Sequence, residues 1–361
     1  NYKNYLDMDI KELEKITASF VKELKLSVKG EKTSLPFVVH EFSPTPLVED
    51  GEQFQVLKIG GSICQNALVV KQGKEILVKA MEEERLPLFS TGKAFLAFVK
   101  SHLRKNINYL AINFAFPMKP VFKNCRLDGI LLNNSKEHAL DGFIGKPVGD
   151  SIEKFVRNNF NRQISVTVAN DTICLALSGL SQVNPIGLAG GVIGTGMNFA
   201  VFLDENHVVN LEAAFFNKFI QSPTGKIIDK QSTNQKAAVY EKEAAGGYLY
   251  RHYNLLQNKR YPYIDSTHSL DKVARGEKSG DKTLARELFR RAAQLASCQI
   301  AGIARFKRRP MVFVMEGSLF WVGYNFRKTV AETVKLLAPD YPVAFKAIKD
   351  CGIVGAAKLV A

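Results

Sequence analysis

The chain has 361 residues, 46% of them hydrophobic and 10% aromatic, which is enough to build buried cores and too apolar for a disordered segment; the length favours two domains over one. Its formal charge of +14 arises from 49 basic and 35 acidic residues mixed along the sequence, with no long basic block beyond Arg305-Phe306-Lys307-Arg308-Arg309. It therefore reads as a solvated basic surface, with no nucleic-acid partner and no membrane partner.

The 5 cysteines, Cys64, Cys125, Cys174, Cys298 and Cys351, are far apart and lack a Cys-x-x-Cys pair. They read as reduced thiols of an intracellular, cytoplasmic protein without a zinc site or disulfide frame. No apolar run reaches membrane-spanning length, and the start at Asn1 leaves open a trimmed leader.

In chain order, residues 7–24 read as an amphipathic helix capped by Asp9, with Ile10, Leu13, Ile16, Phe20 and Leu24 on one face. Leu35-Pro36 and Pro44-Thr45-Pro46 make residues 30–50 a connector. Strands follow at 53–59, 66–71 and 75–79, turned by Gly60-Gly61-Ser62 and Gln72-Gly73. A helix is expected at 91–103, a strand at 109–116 and a helix from 150.

The strand at 164–168 then delivers Asn170-Asp171-Thr172 to the start of the next helix. A strand at 185–193 ends in the turn Gly194-Thr195-Gly196, and strands at 199–203 and 208–211 follow. Residues 217–235 read as a loop, 235–257 and 282–305 as long helices, and 311–315 as a buried strand stopping at Glu316-Gly317-Ser318.

Phosphoryl transfer needs backbone donors around phosphates, a hydroxyl or cation near the transferred group, and a base for the attacking alcohol. Glycine-rich turns at Ser62, Thr195 and Ser318, with an Asp at a strand end, supply that set. Each turn alone is usually a plain hairpin, and Asn-Asp-Thr after a strand is usually a helix cap. Their joint occurrence is what points to chemistry.

In this order and spacing the segments resemble the hexokinases of the actin-like ATPase superfamily. The matching stretches are Leu35-Pro36 with the Phe54 to Ser62 turn, Phe114-Ala115-Phe116-Pro117, Gly129 to Lys136, Asn170-Asp171-Thr172, Ile193 to Asn198, Asn210-Leu211-Glu212, Tyr240-Glu241-Lys242, Arg291-Ala292-Ala293, Glu316-Gly317-Ser318 and Gly355-Ala356-Ala357. The resemblance implies an α/β protein of two actin-like ATPase (ribonuclease H-like) domains, each a mixed five-stranded sheet with helices, separated by a cleft that closes on sugar. The small domain would be residues 50–162 with 352–361 returning to it, and the large domain 1–49 with 163–351.

It further implies a hexokinase-type phosphotransferase of glycolysis, moving the ATP γ-phosphate, with Mg2+, to the 6-hydroxyl of glucose or a related hexose. Asp171 would be the general base. Ser135, Lys136, Asn170, Asp171, Asn198, Glu212 and Glu241 would hold the sugar, while Gly60, Gly61, Ser62, Gly194, Thr195, Gly196, Gly317 and Ser318 would hold ATP. No metal ligand is assigned, and the assembly is read as monomer or homodimer.

The chain departs from the family in its first phosphate turn. Lys58 stands where the family has an Asp that positions hydrated magnesium, with Ser62 for Thr, Ile63 for Asn and Gln65 for Arg. Ala115 replaces a Ser, Asn134 an aromatic and Glu316 an Asp. Three readings of Lys58 follow: a phosphate partner, a charge that repels the cation and leaves a weak kinase or a sugar-binding sensor, or a lysine paired with a nearby acid.

Overall fold

The computed structural model describes residues 6, 8–60, 62–133, 138–257 and 259–361. Asp9 caps helix α1 (Ile10–Val28) through the Glu12 amide, and β1 (Val38–Glu41) follows. Strands β2 (Gln53–Ile59), β3 (Ile63–Gln72) and β4 (Glu75–Arg85) form the expected meander. Helix α2 (Gly92–His102) leads to β5 (Tyr109–Phe114), the hairpin β6 (Met118–Lys123) and β7 (Arg126–Leu131), α3 (Val148–Phe160), β8 (Ser165–Ala169) and α4 (Asp171–Ser178).

Next come β9 (Leu188–Ile193), β10 (Met197–Phe202) and β11 (His207–Asn210), then helices α5 (Pro223–Gln231), α6 (Glu241–Ala244), α7 (Gly246–Leu256), α8 (Thr267–Arg275) and α9 (Lys282–Lys307). The chain ends with β12 (Met311–Glu316), α10 (Ser318–Val322), α11 (Phe326–Leu337), β13 (Val343–Lys346) and α12 (Cys351–Ala357). The 5-stranded sheet has the order β4-β3-β2-β5-β8, and a 6-stranded sheet the order β1-β11-β10-β9-β12-β13.

The chain divides into two compact units. One comprises Val38–Gly190, Ala200–Asn210 and Ile348–Ala361. Here β2 pairs antiparallel with β3 and parallel with β5, which pairs parallel with β8. Central strands buried on both faces need apolar side chains throughout: Leu57, Ile59, Leu110, Ile112, Phe114, Val166 and Val168 pack with Phe95 and Val99 of α2 and Val148, Ile152 and Val156 of α3. Each such side chain contributes about 1.5–3 kcal/mol.

The other unit comprises Asn1–Phe37, Gly191–Phe199 and Leu211–Ala347. Its axis is α9, apolar on nearly every side and hence buried, and capped by Asp281, which accepts the Leu284 amide at 3.0 Å. Helix α1 packs on it so closely that a Cβ on Gly302 would stand 2.7 Å from the Phe20 ring.

Four expectations change. The 30–50 connector contains β1, which pairs antiparallel with β11 and gives one sheet a sixth strand where five were expected. The 217–235 loop contains α5, because Ser222 caps it through the Gly225 amide and Pro223 suits a first helical position. The single helix at 235–257 is two, broken at Ala245, whose backbone is extended at φ −91° and ψ 155°. The 185–193 strand begins only at Leu188, after a turn of 3-10 helix at Pro185–Gly187.

Candidate functional site

In the unit built on α9, β9 ends at Ile193 and the chain turns through Gly194, Thr195 and Gly196, with the Gly194 amide donating to Gly196 O at 2.9 Å. The first turn of α7 is stitched to that turn: the Gly246 amide donates to Gly194 O at 2.8 Å and the Gly247 amide to Thr195 O at 2.9 Å. A Cβ on Gly246 would stand 2.7 Å from Gly194 O, so only glycine permits this approach. Gly317, at φ 111°, sits directly against Ile193, its would-be Cβ 2.2 Å from the carbonyl oxygen.

Together these glycines bring the Thr195 turn and the Gly317-Ser318 turn to one cavity of about 510 Å³. Its remaining walls are Tyr250, Arg251, residues 265–268, Asp271, Phe289, Leu319, Val322 and Gly323. Small backbone-rich surfaces at one end and apolar walls beside polar groups suit a nucleotide. The sequence did not point to Tyr250 or Arg251, because reading 235–257 as one helix hid the break at Ala245 that starts α7 afresh.

The same unit gathers three of the expected sugar residues. Glu241, on the short α6, accepts the Met197 amide at 3.0 Å through Oε2, and burial raises its carboxyl above the usual range while that hydrogen bond and Lys242 oppose the rise. Asn198 Oδ1 accepts the amides of Phe199 at 2.8 Å and Ala213 at 3.2 Å. Glu212, beside Ala213, holds a left-handed φ of 50°, an uncommon backbone for a non-glycine residue and one that concentrates at functional sites.

The residues flanking Glu241 are locked. Lys242, fully buried, donates to Asp229 at 2.6 Å, to Ser232 Oγ at 2.9 Å and to Asn234 O at 2.9 Å. Glu243 pairs with Arg291 at 2.8 Å and accepts the Ser222 amide and hydroxyl. The former loop is thus tied to the segment that carries Glu241.

In the other unit, β8 ends at Ala169 and Asn170 caps α4, its Oδ1 accepting the amides of Thr172 at 2.9 Å and Ile173 at 3.4 Å. Asp171 therefore does not serve as the cap. It is exposed; its Oδ1 accepts from Thr172, and its Oδ2 takes no hydrogen bond or ion pair among the described residues.

Lys58, on β2, lies opposite Gln65 and Asn113, and a Cβ on Gly352 would stand 2.9 Å from its Cδ. Among the described residues it makes no ion pair, so pairing with a nearby acid does not account for it. Gly60 and Ser62 turn the β2–β3 hairpin, with the Gly60 amide donating to Ile63 O at 3.0 Å and Ser62 O accepting the Leu86 amide at 2.9 Å. Gly61, Ser135 and Lys136 lie outside the described residues.

None of the five cysteines, all of them among the described residues, is in a disulfide. Cys174, buried one turn into α4, is pushed well up by burial, with Asp171 among the charges it feels. Among the described residues no helix is long and apolar enough to cross a membrane.

Residues 266–361 match the hexokinase family model. Hexokinase-9 of Oryza sativa subsp. japonica is 23% identical over 275 residues, 66% of this chain and 54% of that protein, so the match spans about half the length of this curated relative. A hexokinase from Schistosoma mansoni complexed with glucose shares the fold with a TM-score of 0.76 and 20% identity, over 99% of this chain and 96% of that one. A ROK family glucokinase from Streptomyces griseus, in complex with glucose and AMPPNP, is similar at a TM-score of 0.55 and 17% identity, over 85% of this chain and 99% of its own.

Proposed function

We propose that this chain, a relative of the hexokinases that has their fold, is an ATP-dependent hexokinase acting on glucose or a similar hexose. The observation that carries this reading is the state of Asp171. Asn170 takes the capping duty, which leaves Asp171 exposed at a strand end with one carboxylate oxygen unbonded among the described residues. A general base needs that freedom.

In the proposed step, Asp171 takes the proton of the sugar's 6-hydroxyl as that oxygen bonds to the γ-phosphorus and the bond to the β–γ bridging oxygen breaks, releasing ADP. Asn170, Asn198, Glu212 and Glu241, with Ser135 and Lys136, hold the remaining hydroxyls. A site built to hydrogen-bond a polyol rejects analogues that leave its groups unpaired. The turns at Thr195 and Ser318 hold the nucleotide, supported by the cavity they share.

Magnesium would arrive on the nucleotide's phosphates. The chain's own donors fit it poorly: Lys58 stands where the family places an acid, and among the described residues no group of three His, Cys, Asp or Glu could hold a metal. The division into 50–162 with 352–361 against 1–49 with 163–351 belongs to the same proposal; Gly352 of α12 packing on Lys58 of β2 supports the return of 352–361, while the pairing of β8 with β5 carries the compact unit on to Gly190.

Lys58, which has no ion pair among the described residues, favours one second reading, a sugar-binding sensor with little or no transfer. An assay coupling ADP formation to a panel of hexoses, with ATP and magnesium, separates the two. Hexose-dependent ADP release supports the kinase, whereas hexose binding without ADP release under varied donors and metals leaves the sensor.

A further inference from the structure

Arg251 has no role in the account above, yet it lies on the wall of the cavity that holds the Thr195 turn. It sits on α7, whose first turn is hydrogen-bonded to that turn, and it follows Gly247 by one helical turn, so the two positions lie on the same face. Among the described residues lining the cavity it is the one Arg or Lys.

Its guanidinium is not committed to an acid. It is exposed, its Nε donates to Tyr250 Oη at 3.2 Å, and its Cζ stands 5.5 and 5.7 Å from the ring centres of Tyr248 and Tyr250. Among the described residues it has no carboxylate partner. The acids of the same cavity are engaged elsewhere: Asp271 by Arg275 at 2.5 Å and the Tyr324 amide at 2.7 Å, Asp265 by the hydroxyls of Ser266 and Ser269.

We propose that Arg251 is the donor-phosphate cation of this chain: it leaves the two tyrosine rings to bind the polyphosphate of a nucleotide seated at the Thr195 turn. This rests on the donor reading above and adds to it a residue that no phosphate motif marks. A guanidinium fork matches phosphate oxygens in pairs, and a charge-assisted bidentate contact outweighs an exposed cation–π contact.

Isothermal titration of the full chain with ATP, AMP, adenosine and inorganic tripolyphosphate tests it in the wild type, Arg251→Gln and Arg251→Lys. Arg251→Gln should weaken ATP and tripolyphosphate about ten- to a hundredfold, as expected for one charge-assisted bidentate contact, and leave adenosine unchanged. Arg251→Lys should restore only part, because an ammonium is a point charge without the fork. Equal tripolyphosphate affinity in wild type and Arg251→Gln, or an equal loss for adenosine, overturns the assignment. Tripolyphosphate binding that depends on Arg251, without any adenine-nucleotide binding, would sink the ATP reading and leave Arg251 standing; a wild type that binds neither sinks both.

Discussion

Replacing Glu243 by Gln removes one charge and little volume from a position whose side chain is 0% exposed. The carboxylate receives donors at both oxygens, the Ser222 amide at Oε1 and Arg291 with the Ser222 hydroxyl at Oε2. An amide has only one acceptor oxygen, so whichever way the substituted side chain turns, its NH2 group faces a donor. Arg291, 6% exposed at its side chain, also loses its buried counter-charge.

Breaking a buried pair in this way costs about 3–5 kcal/mol. That is a large part of a total stability of roughly 5–15 kcal/mol. Urea denaturation should show a fall in midpoint on the order of 1 M, since m is about 1–3 kcal/mol/M for small proteins and grows with size. Hexose affinity should fall with it, because Ser222 and Glu243 hold the segment that carries Glu241. The double change Glu243→Met with Arg291→Met should recover only part of the stability: it removes the unpaired buried charge but leaves the Ser222 amide without its acceptor. A midpoint unchanged in the single variant would refute this account of the loop.

Lys58→Asp restores an acid in the first phosphate turn and should raise magnesium-dependent turnover; unchanged or lower turnover would mean the lysine does not impair the ion's placement. Gly246→Ala puts a methyl 2.7 Å from Gly194 O, and ATP affinity measured by titration should drop at least about tenfold while hexose affinity holds, as the Thr195 turn must shift. Burial lowers His40 to about 4 from an ordinary 6.5. The unfolded chain then binds the extra proton first as pH falls, so stability is full above 6.5 and declines by about 3 kcal/mol toward pH 4. His40→Gln should flatten that limb in pH-dependent urea midpoints, and an unchanged limb would locate the acid sensitivity elsewhere.

What the sequence shows of this fold follows from local chemistry. The β2–β3–β4 meander is legible because Gly60 and Gly73 punctuate runs of strand-forming residues, and α9 because Leu284, Leu288, Ala292, Leu295 and Ile300 recur at helical spacing along its 26 residues. The short β1 is not legible, since Val38–Glu41 is a strand only by pairing with Val208 and its neighbours, far away in the sequence. α5 hides for a related reason: Pro223, Gly225 and Lys226 look like a loop until Ser222 is fixed by Glu243. The division of labour in Asn170-Asp171 is a three-dimensional fact. Sequence offers two capping residues, and only the backbone decides that Asn170 caps while Asp171 stays free.

Whether Asp171 is the base of a hexose kinase is decided by 31P NMR of the chain incubated with glucose and magnesium-ATP. Wild type should convert the ATP signals to those of ADP and a sugar 6-phosphate in equal amounts. With Asp171→Asn the rate should fall by about 10²–10⁴, the usual worth of general-base catalysis, with glucose affinity nearly kept. A wild type that binds glucose and forms no sugar phosphate, or an Asp171→Asn variant that transfers as fast as wild type, would contradict that role for Asp171.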